Sequence, residues 1–531
     1  GLSRHVSSAS FREAMLTRVF QNLDKDKSGK VPTKEIKAAL EFAGLHAKMV
    51  KKFVATVDPQ RTGEVDKTNF LRMQDLDTNV MERALLGKLV VPDFQTFSKS
   101  LFETFQEAAK DNEGNNADYI PQLARQDREN FAAACCTVDG QYWEEGPTDE
   151  EYTIQSVSKP ITYCIVQEMV GAEKLLKHVG HEPSGLAFNA LALDREKRPH
   201  NPMINLGAIL TSSLLKPKEE QAARFDAASE KFSQMCGSRV GFDNATYLSE
   251  LEHADRNFSL AYMAKDAGAF DDDVASHSDI VKMLQFYFML CSILVNTSKA
   301  AILAGTLANG GTNPITGVNV FSPDTVRDCL SLMFSCGMYD YSGQFAFEVG
   351  LPAKSGVAGL VVLVVPGRFG VATWAPPLDK YGNSSKGVVF CRELVKKYSV
   401  HVFDSEGRGK IDPCRREKTQ TKTAVICELI FAAANGDLPA ILALVNSGAS
   451  VNDADYDGRT ALHVAIAEGR HRVVEYLLGQ GANPHKRDRW NLTPLNEAID
   501  LKSEKILELL KTKAGAEFKV DIAKGSPADA E

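Results

Sequence analysis

Residues 155–160 read Q-S-V-S-K-P and place Ser156 three positions before Lys159. On the first turn of a helix, residues i and i+3 share one face, so this spacing sets the lysine amine beside the serine hydroxyl. Burial and the helix N-terminus both disfavour the ammonium form, which leaves a neutral amine able to take the serine proton. Ser158 lacks that geometry relative to Lys159. The stretch therefore predicts a helix whose first turn carries a serine nucleophile and a lysine base.

A second motif lies further along the chain. Residues 354–356 read K-S-G and precede the apolar run L-V-V-L-V-V at 360–365, which ends at Pro366. A run this short and β-branched predicts a buried strand. S-x-x-K followed by K-[ST]-G is the order of the serine acyl-enzymes of the β-lactamase type. An S-x-x-K alone is expected by chance in a chain this long, and the S-D-N element of the lactamases is missing, which argues against β-lactam chemistry. The middle of the chain is predicted to be α/β, with helices around a central antiparallel sheet.

The front of the chain combines helical periodicity with a polar loop. Residues 24–35 read D-K-D-K-S-G-K-V-P-T-K-E, with oxygen-bearing side chains at positions 1, 3 and 5, glycine at 6 and glutamate at 12. This is the calcium-loop pattern of an EF-hand. The candidate calcium ligands are the side chains of Asp24, Asp26, Ser28 and Glu35 and the backbone carbonyl of Lys30. A second loop begins at Asp58 but has Asn69 at position 12, which cannot act as a bidentate carboxylate. The alternative is a helical scaffold that keeps the loop without binding calcium.

The far end of the chain repeats itself. The segment T-A-L-H-V-A at 460–465 recurs as T-P-L-N-E-A at 493–498, a shift of 33 residues. Leu444, Leu477 and Leu510 follow the same 33-residue step. A helix-pair unit of this length that carries T-x-L-x-x-A is the ankyrin signature. Ankyrin repeats are therefore predicted, and they present a generic surface that binds a protein partner or packs against its own enzyme.

Composition excludes several classes of protein. The chain has 531 residues, 44% of them hydrophobic and 24% charged, which is typical of a globular protein of three or four folded units. No apolar run is long enough for a membrane span, and a formal charge of −8 gives no general reason to bind nucleic acid. The ten cysteines have neither C-x-x-C pairs nor zinc-site spacing, so reduced thiols are expected. Because the sequence starts at Gly1, we expect a processed or trimmed chain.

The middle region resembles the serine-dependent glutaminases in several short motifs besides Q-S-V-S-K-P. These are A-D-Y-I-P-Q-L at 117–123, T-V-D-G-Q at 137–141, E-P-S-G-L at 182–186, H-N-P-M-I-N at 200–205, D-R-N at 255–257, C-G-M-Y-D at 336–340 and G-L-P-A-K-S-G-V-A-G at 350–359. The EF-hand-like front and the ankyrin back are similar to the animal mitochondrial form of the family. The resemblance implies hydrolysis of L-glutamine to L-glutamate and ammonia, a β-lactamase-like catalytic domain, and no required cofactor.

The resemblance also implies roles for individual residues. Ser156 is the nucleophile, Lys159 its base, and Tyr339 shares proton transfer to the leaving ammonia. The backbone amides of Ser156 and Val357 form the oxyanion hole. In the family, the α-ammonium of glutamine meets a carboxylate at the position of Glu250. The remaining substrate-binding positions hold the α-carboxylate or close the site, and they are Asn205, Asn257, Tyr287 and Tyr119.

Assembly, location and regulation follow from the same resemblance. It implies a homotetramer that can extend into filaments, residence in the mitochondrial matrix, and phosphate as an activator. The activation loop after E-P-S-G-L departs from the mammalian pattern, since Ala187 and Ala190 stand where an arginine and a lysine are expected. A weaker or differently placed phosphate dependence is the resulting hypothesis. The predicted divisions are an EF-hand-like domain at 1–85, the catalytic domain at 86–403, a linker at 404–423, ankyrin repeats at 424–515 and a polar tail at 516–531.

Two other functions stay open at this point. The chain is either another Ser-Lys acyl-enzyme acting on a peptide or lactam, or a catalytically inactive scaffold that binds partners through its two ends. Glu250 separates the first alternative from a glutaminase, because a carboxylate that binds an amine is useful only for a free amino acid. The intact set of Ser156, Lys159 and Tyr339 argues against the second.

Overall fold

The computed structural model divides the chain into two compact units, residues 1–415 and 416–531. It describes residues 16–17, 19–21, 23–24, 26–72, 80–271, 274, 276–404, 412–414, 422–446 and 449–513. Most of the predicted linker, the predicted polar tail at 516–531 and the first fifteen residues of the predicted front domain lie outside the described residues. All ten cysteines are free thiols. Among the helices described, none is long and apolar enough to span a membrane.

A five-stranded antiparallel sheet forms the centre of the first unit. Its strand order is β4-β3-β10-β9-β8, where β3 is Ala132–Thr137, β4 Tyr142–Glu145, β8 Ala353–Ser355, β9 Leu360–Val365 and β10 Phe369–Trp374. Strand β9 coincides with the apolar run at 360–365, so that prediction is confirmed. Alternate residues of β9 enter two different apolar cores, Leu360 and Val362 on one face and Val361 and Leu363 on the other. Because both faces are covered, the strand is apolar throughout instead of alternating.

Helices cover both faces of this sheet. The helices of the first unit are α1 Thr33–Phe42, α2 Ala47–Val57, α3 Lys67–Leu71, α4 Val80–Leu85, α5 Phe94–Ala109, α6 Pro121–Ala124, α7 Ser158–Val170, α8 Ala172–His178, α9 Asn205–Ser213, α10 Gln221–Cys236, α11 Asn244–Glu252, α12 Asp255–Asp266, α13 His277–Cys291, α14 Thr297–Ala308, α15 Pro323–Cys336, α16 Ser342–Glu348 and α17 Ser385–Lys397. Helix α14 lies so close to β10 that a Cβ at Gly370 would stand 2.1 Å from the Ala304 carbonyl carbon. Glycine is therefore required at this contact.

A small sheet stands beside the segment that carries Ser156. It has three short strands in the order β5-β7-β6, with β5 at Tyr152–Thr153, β6 at Gly241–Phe242 and β7 at Ile293–Val295. The main chain continues from β5 into the turn that carries Ser156, and the amide of Ile154 donates to the carbonyl of Ile293 at 2.8 Å. The small sheet therefore fixes the entry of the chain into the site.

The front region packs against the catalytic sheet within the same unit. Strands β1 (Lys30–Pro32) and β2 (Glu64–Asp66) form a two-stranded antiparallel sheet between the two polar loops. The buried Gln141 side chain, in the turn between β3 and β4, donates to the carbonyls of Ala43 and Val91 at 2.9 Å each and accepts from the Val91 amide at 3.1 Å. Through these hydrogen bonds to the backbone of Ala43 and Val91, Gln141 connects the front region to the catalytic sheet.

The second unit is helical and has its own apolar core. Its helices are α18 Lys422–Asn435, α19 Leu438–Asn446, α20 Ala461–Ala467, α21 His471–Gly479, α22 Pro494–Asp500 and α23 Glu504–Lys513. The threonine of each T-x-L-x-x-A motif caps a helix: Thr460 forms a capping box with His463, and Thr493 forms one with Asn496. The motif thus starts the first helix of a repeat, because the side chains satisfy backbone groups that the helix leaves unpaired.

Candidate active site

Ser156 lies on a tight turn directly before a long buried helix. The turn is a 3₁₀ segment at Gln155–Val157, and α7 follows at Ser158. The predicted α-helix therefore begins two residues after Ser156, because Ser156 belongs to the tighter 3₁₀ turn that leads into it and that starts at Gln155 with a left-handed φ of 48°. The Ser158 hydroxyl donates to the Gln155 carbonyl at 2.7 Å, so it stabilises the turn. Ser156 is the half-buried serine of the pair, whereas Ser158 is buried.

The amine of Lys159 is buried and bonded only to neutral acceptors among the described residues. It donates to the side-chain oxygen of Asn205 at 2.8 Å and to the carbonyl of Met203 at 3.3 Å. Burial lowers the pKa of Lys159 to about 8, because the ammonium form loses its hydration without gaining a carboxylate partner. A substantial neutral fraction near physiological pH makes this amine suited to accept a proton.

Tyr339 faces Ser156 from a second tight turn. The residue begins the 3₁₀ segment Tyr339–Tyr341 with a left-handed φ of 53°. Burial raises the pKa of the Tyr339 hydroxyl, and a contact with the Ser156 side chain partly offsets this. No atom in the described part of the chain completes a hydrogen bond of good geometry with that hydroxyl. The buried hydroxyl is therefore free to bond a substrate group.

Glu250 is a buried carboxylate next to the turn that carries Ser156. It accepts hydrogen bonds from the Tyr119 hydroxyl at 2.7 Å and from the Gln155 side-chain amide at 3.1 Å. Desolvation raises the pKa of Glu250, and these two bonds oppose the shift. Within the described ranges, no lysine or arginine lies at salt-bridge distance from it. A buried carboxylate without a cationic side chain is suited to bind an ammonium group from a ligand.

Two asparagines and a tyrosine complete the polar wall of the site. Asn205, the first residue of α9, donates its side-chain amide to the Asn257 side-chain oxygen at 3.3 Å. Tyr287 lies buried on α13, and burial raises the pKa of its hydroxyl, with Cys291, Glu250 and Tyr339 close enough to contribute. The structure thus brings Asn205, Asn257 and Tyr287 to the same site as Ser156, Lys159 and Glu250.

The K-S-G motif brings Gly356 against the turn that carries Ser156. A Cβ at Gly356 would stand 3.1 Å from the Ile154 carbonyl oxygen and 3.5 Å from the Gln155 Cβ. Only glycine allows this approach without displacing a neighbour. The Gly356 amide donates to the Leu360 carbonyl at 2.9 Å, so that amide is already paired. Val357, predicted to supply an oxyanion-hole amide, directly follows this contact in the chain.

Three of the candidate calcium ligands, Asp24, Asp26 and Ser28, are connected by hydrogen bonds within the first loop. Asp24 accepts hydrogen bonds from the amides of Ser28 and Gly29, at 2.9 Å each, and Ser28 donates to the carbonyl of Lys30 at 3.0 Å. Asp26 accepts from the Ser28 amide at 3.1 Å, and Glu35 is exposed in the first turn of α1. In the described part of the chain, no group of three or more His, Cys, Asp or Glu side chains is arranged to hold a metal ion.

A family model for glutaminase matches residues 114–403, and a model for three ankyrin repeats matches residues 429–522. The glutaminase match covers more than half of the chain and contains every catalytic and substrate-binding residue predicted above. The chain belongs to the glutaminase family. It is an amidohydrolase that converts L-glutamine to L-glutamate and ammonia, and its ankyrin repeats are confirmed.

Individual relatives of this glutaminase are similar over different parts of the chain. The mitochondrial liver isoform of glutaminase from Mus musculus is 40% identical over 493 residues, which are 91% of this chain and 81% of the relative. A structure of the probable glutaminase ybaS covers 59% of this chain and 99% of its own, with 34% identity and a TM-score of 0.56. A structure of Mglu in its L-glutamate binding form covers 58% of this chain and 68% of its own, with 38% identity and a TM-score of 0.55.

Three residues of this glutaminase's site were not assigned a role from the sequence. Gln155 stands inside the quoted motif, but only the fold shows its side chain on Glu250. Cys291 lies one helical turn after Tyr287, and burial raises the pKa of its thiol to about 12, with Glu250 and Lys159 nearby. The spacing of four residues on one helix was the available signal. Lys354 is the lysine of K-S-G, and its surroundings are described below.

Proposed function

We propose that this glutaminase acts through a γ-glutamyl ester on Ser156. The Ser156 oxygen attacks the side-chain amide carbon of glutamine, and Lys159 takes the hydroxyl proton. The tetrahedral intermediate then breaks its carbon–nitrogen bond, and Tyr339 and Lys159 return a proton to the departing ammonia. Water attacks the ester in the second half, which releases glutamate and restores Ser156. The buried Lys159 amine, whose pKa burial lowers to about 8, supports its role as the base.

The amides of Ser156 and Val357 are proposed as the oxyanion hole. Both belong to tight turns that Gly356 brings into contact, and the Gly356 amide is used elsewhere. Backbone amides held by two packed turns need little rearrangement when negative charge develops on the amide oxygen. The close contact of Gly356, the residue before Val357, with the turn of Ser156 supports this role.

Glu250 is the residue that most directly supports a free amino acid as the substrate. Glu250 is 8% exposed, and its carboxylate accepts hydrogen bonds from Tyr119 and from Gln155, the residue before Ser156. We propose that it binds the α-ammonium of glutamine, and that Asn205, Asn257 and Tyr287 bind the α-carboxylate. A Ser-Lys acyl-enzyme for peptides has no free ammonium to place at this carboxylate, which favours glutamine over such substrates.

The test of the nucleophile compares the two serines of the motif. Ammonia and glutamate release from L-glutamine is measured for the unmodified chain, for Ser156→Ala and for Ser158→Ala, with folding checked by circular dichroism. We expect Ser156→Ala to lose at least about 1,000-fold in kcat. Ser158→Ala should keep most of its turnover, since the Ser158 hydroxyl is bonded to the Gln155 carbonyl in the turn. A rapid-quench digest should show the γ-glutamyl adduct on the peptide of Ser156. Full activity of Ser156→Ala would contradict the mechanism.

We also propose an EF-hand-like front with calcium at its first loop. Asp24 and Asp58, at the first position of each loop, bind backbone amides in the same way, and the loops are joined by paired strands. Asp24, Asp26, Ser28, Glu35 and the Lys30 carbonyl are oxygen donors of the kind calcium takes. Calorimetry with the full chain should give calcium heat that Glu35→Gln removes and that Glu41→Gln, an exposed acid of the same helix, leaves in place. Heat unaffected by Glu35→Gln would place calcium elsewhere.

Assembly, location and phosphate response are proposed from the family. The relative from Mus musculus is named mitochondrial, which supports a mitochondrial location, and we propose the matrix, a homotetramer and filaments. Light scattering and cell fractionation test these points. The domain limits 1–85, 86–403, 404–423, 424–515 and 516–531 are kept as a proposal, with the repeats binding a protein partner.

The activation loop is the proposed point of phosphate action. Residues 183–188 line a cavity of about 410 Å³ together with Tyr339, and the Phe188 ring lies 4.8 Å from the Tyr339 ring. Movement of the loop would therefore displace the ring that packs on Tyr339, the proposed proton donor. Because Ala187 and Ala190 bring no cation to this loop, we propose a weak phosphate response. A phosphate titration of the unmodified chain and of the double variant Ala187→Arg, Ala190→Lys tests this, and equal stimulation of both would contradict it.

A further inference from the structure

Lys354, the lysine of K-S-G, lies at the centre of strand β8 and is fully buried. Its amine donates to the Ser355 carbonyl at 2.6 Å and stands 4.3 Å above the centre of the Tyr339 ring. One amine thus contacts both the backbone that leads to Val357 and the side chain proposed to transfer the proton. The mechanism above gives it no role.

The electrostatic surroundings of Lys354 are unfavourable to a lysine. Among the described residues, no carboxylate lies within salt-bridge distance of its amine. Burial lowers the pKa of Lys354 well below its ordinary value, and the charge of Lys159 lowers it further. An apolar side chain of similar size would avoid the desolvation cost of a buried amine. A position where lysine is kept at such a cost is a candidate for function.

The backbone around Lys354 joins the two halves of the site. The Ser355 amide donates to the Gly337 carbonyl at 3.2 Å, two residues before Tyr339. A Cβ at Gly337 would stand 1.8 Å from the Ala353 carbonyl oxygen, so the two segments are in close contact. Tyr339 itself has a left-handed backbone that surrounding contacts must hold. Phe188 contacts the ring from the activation loop, and Lys354 contacts it from the sheet.

We infer that Lys354 is a positioning residue that holds the Tyr339 ring and the Ser355 carbonyl, and so directs the Tyr339 hydroxyl and the Val357 amide toward the scissile amide. Lys354 takes no part in bond making and touches neither end of the substrate clamp formed by Glu250 and Asn205. Its removal therefore affects the chemical step more than substrate binding. The inference rests on the roles proposed for Ser156, Lys159 and Tyr339.

The test uses Lys354→Met and Lys354→Arg, with Lys386→Met as the matched control. Lys386 is also buried, with its amine 5.8 Å from the Phe131 ring, and lies outside the site. For Lys354→Met we expect kcat to fall by about 10- to 100-fold, with KM changed by less than about threefold. Lys386→Met should keep the kcat of the unmodified enzyme.

Lys354→Arg keeps a cation and hydrogen-bond donors at this position, so it tests whether the contacts with the Tyr339 ring and the Ser355 carbonyl account for the role of Lys354. We expect Lys354→Arg to keep more of the kcat than Lys354→Met does, with KM unchanged in both. Equal losses of kcat in the two folded variants contradict the inference. If Lys354→Met does not fold, Lys354→Arg takes its place in the double-variant comparison with Tyr339→Phe.

A Tyr339→Phe background tests whether Lys354 acts through the hydroxyl. If it does, Lys354→Met lowers kcat by a smaller factor in that background than in the unmodified enzyme. Equal factors in the two backgrounds contradict the inference. Retention of kcat within about twofold in folded Lys354→Met also contradicts it. An active Ser156→Ala would refute the proposed function itself, whereas an inactive Ser156→Ala with unaffected Lys354 variants refutes only this inference.

Discussion

Lys159 can act as a base only in its neutral form, so the pH dependence of the enzyme reports on its burial. Burial lowers the pKa of Lys159 to about 8, and the neutral fraction grows as pH rises through that value. We expect kcat/KM to increase with pH and to reach half of its limit near pH 8. Initial rates of ammonia release from about pH 6 to about pH 10 measure this. A flat profile across that range would mean that another group takes the proton.

Glu250 gives a second prediction at the residue scale. Glu250→Gln keeps the size and one hydrogen-bond acceptor of the side chain but removes the negative charge that is proposed to bind the α-ammonium of glutamine. Because a hydrogen bond to a charged group contributes about 1.5–3 kcal/mol, we expect KM for glutamine to rise by about 10- to 100-fold. Glu252→Gln, on the same helix and exposed, is the control. Steady-state kinetics showing the loss in kcat alone would assign Glu250 to chemistry instead of binding.

At the scale of elements, the turn between β3 and β4 joins the front region to the catalytic sheet. Gln141 is 1% exposed and makes three hydrogen bonds to backbone groups of Ala43 and Val91. Gln141→Leu leaves these buried groups unpaired, so we expect a loss of about 2–4 kcal/mol in the free energy of unfolding. Thermal unfolding measures the change, and Gln95→Leu, whose side chain donates only to the Phe42 carbonyl, is the control. Equal stability of the two variants would show that the hydrogen bonds of Gln141 contribute no more to the free energy of unfolding than the single bond of Gln95 does.

The elements also show what the sequence can predict. The apolar run at 360–365 and the repeated T-x-L-x-x-A motifs were predictable because strand burial and helix capping are local properties. The start of α7 was not, since the turn before it contacts Gly356 and strand β7, which are distant in the sequence. Glu250, Gln155 and Cys291 come from three separate segments. Their juxtaposition depends on tertiary structure, so only the resemblance to a family could indicate Glu250 from sequence, and nothing assigned the other two.

At the scale of the whole molecule, the catalytic unit and the repeat unit each have a separate apolar core. Leu462, on α20, is fully buried in the core of the repeats. Leu462→Ala should destabilise that unit by about 2–5 kcal/mol, because it removes buried apolar volume and leaves a cavity. If the units fold independently, calorimetry should show only the repeat transition moving to lower temperature, and kcat for glutamine should stay within about twofold below that transition. Leu363→Ala, in strand β9, should instead lower the catalytic transition and the activity. A fall of both transitions together in Leu462→Ala would mean that the repeats stabilise the enzyme directly, since independent cores would not transmit the loss.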